Sequence, residues 1–264
     1  MILLPYKKVV EVSVETPIWT RPSDWPSISN PASGTIKLLV SDTGLAAYAF
    51  EVILDAGTYT VDWGDGTIVT DIASEAIAQH LYTKESGTSC SRGYTTFVVT
   101  ITPVGGNITE FRVAKQTLIT HSYMQVHGIL DVEINTPHLT DASYMFIADD
   151  WWSVECVLLE HFACNCDMEY CISTKYMFGN GYRLQSVDVS GFITVTDASG
   201  MFSYCYKLSF VDISKMIEIM DASYMFDSTN IKTLDLSKNT KIENADGMFY
   251  NCLNFDSIDL LGVN

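Results

Sequence analysis

The sequence is poor in charge, and poorest in positive charge. Charged residues fill only 18% of its 264 positions, and 15 Lys and Arg face 32 Asp and Glu, for a net charge of -17. A surface so short of cations repels phosphate backbones and anionic headgroups, so nucleic acid and membranes are not expected partners. No apolar run approaches the ~18 to 20 residues that a bilayer-spanning helix needs. The first eight residues run apolar and then basic (Lys7, Lys8), the reverse of a secretory leader and too short for one, which leads us to expect a soluble protein made in the cytoplasm. Cysteine is odd in number, seven, and scattered, which speaks against a disulfide framework and for reduced, buried thiols. The five histidines fall in unrelated registers, and Gly64-Asp65-Gly66 lacks the Lys and helix of a phosphate loop. With no arrangement that points to catalysis, a non-enzymatic protein is expected.

What the chain does have is apolar residues, 47% of the total, in a length that admits two modest domains. Residues Val10 to Val14 alternate apolar and polar, the period of a half-buried strand. Thr16 to Pro31 then carries four prolines together with Trp19, Arg21 and Trp25, a stiff extended arm with two large anchors. Two readings of this 1–33 segment stay open: it attaches to a neighbouring surface, or its tryptophans close the base of the next domain.

From 34 to 104, short β-rich runs at Ile36–Val40, Ala47–Ile53, Thr58–Trp63 and Tyr94–Thr102 alternate with turn residues, the spacing of a β-sandwich. Asp65-Gly66 follows an alternating strand directly, which predicts a hairpin. The phrase Val61-Asp62-Trp63-Gly64-Asp65-Gly66-Thr67, then His80-Leu81-Tyr82, then Phe97 to Ile101, resembles the PKD-type immunoglobulin-like domain over about 70 residues. That resemblance implies a spacing or adhesion module without catalysis. Thr83 to Gly93 is a longer polar loop than the family usually carries, either a contact site or a mobile link.

From 105 to 264 the chain repeats. Met-Phe pairs stand at 145–146, 177–178, 201–202, 225–226 and 248–249, spaced 32, 24, 24 and 23 residues apart, a period that predicts a solenoid of six or seven coils. Strand-like units follow the last four pairs, at Leu184–Ser190, Leu208–Ser214, Ile231–Ser237 and Phe255–Leu261, with apolar first, fourth and sixth places. Ile108–Ala114, Ile129–Asn135 and Leu159–Asn165 fit the pattern more loosely. Asp-Ala-Ser-Tyr-Met-Phe at 141–146 and 221–226, with Asp-Ala-Ser-Gly-Met-Phe at 197–202, resembles the BspA-like leucine-rich-repeat surface proteins. The order of tryptophan-rich arm, PKD-like domain and Met-Phe repeats is similar to fibre or adhesin-type structural proteins of tailed bacteriophages. The fold expected is therefore mainly β: a PKD/Ig-like sandwich followed by a leucine-rich-repeat-type solenoid.

The resemblance implies a virion protein of tail-fibre, head-fibre or decoration type, attaching to a host-surface glycan or protein, or to other virion proteins through the arm, with no cofactor, calcium being the alternative. A bacterial cell-surface adhesin with the same modules is the main alternative, and a glycan-cleaving fibre enzyme a lower-ranked one. Three sets of residues invite a closer look. Asp188, Asp212, Asp235 and Asp259 share one place in four coils, a column that either holds calcium or is solvated, each carboxylate bonded to its own turn. Asp149, Asp150, Trp151 and Trp152 sit in an insertion of about seven residues that breaks the repeat outward, suited to stack on sugars or anchor a protein, or else packed over the next coil. Cys164, Cys166 and Cys171 with His161 have the donor types of a zinc site, but the repeat register already assigns Cys164 and Cys171, like Cys156, Cys205 and Cys252, to packing positions.

Overall fold

The structure, a computed structural model, describes residues 19–42, 47–82, 87–113, 128–147, 158–254 and 256–259. All regular secondary structure among them is β. In the first half lie β1 (Thr35–Asp42), β2 (Ala47–Leu54), β3 (Thr58–Asp62), β4 (Ile68–Ala73), β5 (Ile77–Leu81), β6 (Thr88–Ser89), β7 (Thr95–Val104) and β8 (Ile108–Val113). In the second half lie β9 (Ile129–Asn135), β10 (His161–Cys164), β11 (Ser186–Asp188), β12 (Thr233–Asp235) and β13 (Ser257–Asp259). The hairpin expected at Asp65-Gly66 joins β3 to β4, with the Trp63 amide donating to the Thr67 carbonyl at 3.0 Å.

Two sheets organise the first half. One runs β4-β3-β7-β1, with β6 on the edge of β7; the other is β5-β2-β8. Apolar residues alternate along β1, β2, β3 and β7, so each sheet turns one face inward, and Trp63, Tyr48, Phe50, Phe97 and Phe111 fill the space between them, fully buried.

Neither sheet ends where the repeats begin. β9 pairs antiparallel with β1 on one edge and parallel with β10 on the other, and β10 continues in parallel to β11. On the opposite face, β8 pairs antiparallel with β2, while its outer edge bridges in parallel to Asp141. From Asp141 the bridges step to Ser173, Asp197, Asp221 and Asn244, one per repeat. Two of the three segments that match the repeat only loosely, Ile108–Ala114 and Ile129–Asn135, contain these two junction strands. Each must satisfy an antiparallel neighbour on one side and a parallel one on the other. Buried side chains from Ile36 to Met248 consequently form one continuous apolar cluster.

Within the repeats, the Met-Phe phrase folds as consecutive tight turns. Around the second pair, the Met177, Gly179 and Gly181 amides donate to the Thr174, Tyr176 and Phe178 carbonyls. The intervening amides point along the stack: those of Thr174, Tyr176, Phe178 and Asn180 donate to the carbonyls of Asp197, Ser199, Met201 and Ser203, all at 2.9 to 3.0 Å. Every Met of the pairs is buried, and the phenylalanines stack face to face, Phe146 on Phe178, Phe202, Phe226 and Phe249, with centroids 5.5 to 5.9 Å apart. The residue before Met lies in the left-handed region in every turn: Tyr144, Tyr176, Gly200, Tyr224 and Gly247. Glycine at 200 and 247 has a steric reason as well, because the rings of Tyr176 and Tyr224 lie where a Cβ would project.

Because one core serves both halves, we expect Phe202→Ala to destabilise the whole chain by about 3 to 5 kcal/mol. Urea unfolding followed by circular dichroism and by tryptophan fluorescence should show one shared, shifted transition; two separated transitions would contradict it.

Candidate functional site

Residues 19–31 lie against the outer face of β1 and β9. Trp25 is buried with Ile28 against Leu39 and Leu130, with Tyr94, Val98 and Leu158 around them. Arg21 stands over the Trp25 ring, its guanidinium 5.6 Å from the centroid, and Arg92 approaches the same ring at 5.1 Å. Arg21 also donates from Nε to Asp131 Oδ2 at 2.8 Å and from Nη1 to the Trp25 carbonyl at 2.8 Å. Asp131 is fully buried, and its other oxygen is 2.7 Å from His161 Nδ1. Since a carboxylate can only accept, that contact places the imidazole proton on Nδ1. Trp19 stacks parallel on the His161 ring at 4.5 Å, and its Nε1 lies 3.5 Å from Glu160 Oε2. Glu160, itself buried, is neutralised by Arg92. Trp25 and Arg21 are thus engaged within the chain, while Trp19 keeps part of its ring at the surface.

Beside Trp19 opens a cleft of about 270 Å³. Trp19, Arg92, Glu160, Gln185, Lys207 and Ser209 line it. Three of these share one register: Glu160 precedes His161, which pairs with Ser186, and the amides of Gln185 and Ser186 both donate to the Glu160 carbonyl. Ser209 follows one turn on, its carbonyl receiving the Lys232 amide. The ladder therefore sets Glu160 against Gln185, and the arm supplies the aromatic wall of the cleft.

Comparison with protein-family models, with curated proteins and with solved structures finds no match. The chemistry of the surface stands on its own geometry.

The Asp column is committed to its turns. Oδ1 of Asp188, Asp212 and Asp235 accepts the amides of Ser190, Ser214 and Ser237 at 2.8 to 2.9 Å. A second column on the opposite face does the same, Asp141, Asp197 and Asp221 capping Ser143, Ser199 and Ser223 at 2.7 to 2.9 Å. Hydrogen bonds from Ser237 hold the Asp235 carboxyl below its usual value of 3.8. At Asp221 burial opposes ionisation, but the bonds from Ser223 and Asn244 outweigh it and the shift is again downward. The side chain of Asp259 lies outside the described residues, as do Val10–Val14 and the insertion with Asp149, Asp150, Trp151 and Trp152.

The cysteines behave as small apolar groups. Sγ of Cys205 and of Cys252 donates to the carbonyl of Phe178 and of Phe226, at 3.2 and 2.8 Å, the same contact in two turns. Cys171 is buried, which pushes its thiol up to about 12. Cys164 Sγ donates to the Cys166 carbonyl, while His161 is taken by Asp131 and Trp19, and no group of three or more His, Cys, Asp or Glu is arranged to hold a metal among the described residues. The cleft escaped sequence reading because Arg92 comes from the loop between β6 and β7 and Trp19 from the arm, far away in the chain. The register did carry one signal, the outward second place of each strand unit.

Two outcomes are expected. Arg21→Ala leaves Asp131 buried without its cation and should cost about 3 to 5 kcal/mol in urea unfolding; a loss below about 1 kcal/mol would show the pair to be worth no more than a surface pair. The depressed carboxyls of Asp221 and Asp235 bind protons more weakly folded than unfolded, so their stabilisation is full above the unfolded value of 3.8 and is lost as pH falls through the lower folded values. Thermal unfolding should show the melting temperature dropping through that acid range, and a flat profile there would count against the capping role.

Proposed function

We propose that the chain is a non-enzymatic bacteriophage virion structural protein, of fibre, adhesin or decoration type, that attaches by surface complementarity to the host surface or to other virion subunits. On this reading the first half is a PKD-type immunoglobulin-like sandwich and the second a BspA-like, leucine-rich-repeat-type solenoid. The observation that carries the proposal is the continuous ladder of turns from Asp141 to Asn244. Amides pointing along the stack fix each turn against the next, so outward side chains stand in columns one strand spacing apart, ~4.8 Å. Such columns present a preorganised surface, which lowers the ordering cost of binding. The exposed members are aromatic and acidic: Tyr206, Tyr224 and Tyr250 on the turn face, and Asp188, Asp212 and Asp235 on the strand face. Tyr182 stacks on Tyr206 at 5.3 Å, and such rigid amphipathic rings suit contact with sugars or protein.

The resemblance of the tryptophan-rich arm, PKD-like phrase and Met-Phe repeats to tailed-phage structural proteins directs this surface to a virion. The reading needs no cofactor; calcium bound at the Asp column would be an addition to it. Electron microscopy of purified virions labelled with antibody against this chain should place it on the particle. Its absence from virions, with the chain found on a bacterial envelope instead, would replace the virion by a cell-surface adhesin. Turnover of host polysaccharide by the purified chain would overturn the non-enzymatic reading.

A further inference from the structure

The cleft beside Trp19 differs in charge from the rest of the molecule. Glu160 is paired with Arg92, and Asp131 with Arg21. Lys207 is exposed at the cleft wall and has no ion-pair partner among the described residues. The cleft therefore holds one positive charge in excess, in a chain whose net charge is -17. Next to it stands a partly exposed indole, locked in place because one face stacks on His161. Gln185 and Ser209 offer neutral hydrogen-bonding groups from successive turns.

We propose that this cleft binds a carboxylated sugar ring, the hexuronic acid unit of an acidic polysaccharide. An exposed indole surface suits the apolar C–H face of a pyranose. Lys207 supplies the point charge for the carboxylate, and Arg92, already oriented by Glu160, presents its remaining donors. Gln185 and Ser209 reach different hydroxyls of the same ring. Pockets for drug-sized ligands hold ~300 to 1,000 Å³, so a cleft of about 270 Å³ takes one ring and leaves the polymer to run out over the surface. Charges of the surrounding acidic surface more than ~10 Å away are screened at 0.1 M salt, so contact at Lys207 outweighs their repulsion of the rest of the polymer.

The proposal rests on the reading of the chain as a recognition protein, and its test is separate from the virion test. Calorimetric titration of the full chain with a galacturonic acid trisaccharide should give saturable binding, the neutral galactose trisaccharide should bind at least tenfold more weakly, and acetate should not bind. Lys207→Glu should weaken uronate binding at least tenfold, whereas Lys215→Glu, an exposed change outside the cleft, should leave it unchanged. Trp19→Ala, checked for retained fold by circular dichroism, should also weaken it at least tenfold. No saturable uronate binding, equal affinity for the neutral sugar, or binding insensitive to Lys207→Glu would each overturn the site, whatever the virion shows.

Discussion

The described part of this chain depends on main-chain hydrogen bonds that pass from turn to turn, unbroken on the turn face from Glu110 to Asn244 and, on the strand face, from β1 through β9 and β10 to β11. A 24-residue turn cannot bury its own apolar face or satisfy its own backbone, so each needs a neighbour on both sides. At the N-terminal end that neighbour is the pair of facing sheets, which supply β1 and β8 as templates for the two ladders. The two halves are thereby one hydrogen-bonded and apolar unit. The stacked phenylalanines and buried methionines extend the aromatic packing around Trp63 and Phe50, and rigidity at the outer surface follows from that continuity.

The same continuity explains why buried charge gathers at the junction. Asp131 sits on β9, the strand where antiparallel pairing gives way to parallel, and it is covered by the arm. A buried carboxylate is tolerable only with partners, and Arg21 and His161 provide them. The arm is thus held by charge as well as by Trp25. In closing over the sheet it builds one wall of the cleft, so a structural demand also shapes a concavity at the surface.

Much of this was legible in the sequence. The Met-Phe period located the stack and its turns, Asp65-Gly66 located the hairpin, and the register assigned Cys164, Cys171, Cys205 and Cys252 to packing, as their contacts in the structure do. The column of Asp188, Asp212 and Asp235 was visible too, because a residue type recurring at a fixed place announces a repeated local bond; the second column, Asp141, Asp197 and Asp221, emerges only in the structure. What pattern could not give was contact between distant segments. Nothing in the spacing of Arg21 and Asp131, or of Arg92 and Glu160, marks them as pairs; they meet only once both ladders are closed. The boundary near 104 also looked sharper in sequence than the hydrogen bonding makes it, since turn composition changes there while the pairing of β8 with β2 carries the sheet across.

The continuity of the ladders can be measured at the junction itself. Native-state hydrogen exchange reads the Val113 amide, which donates to Met145, and the Glu160 amide, which donates to Leu130, one on each face. If both ladders run unbroken through the junction, these two amides exchange as slowly as the paired amides of β1 and β7. Fast exchange at the junction, with slow exchange on either side, would mean two bodies that merely touch.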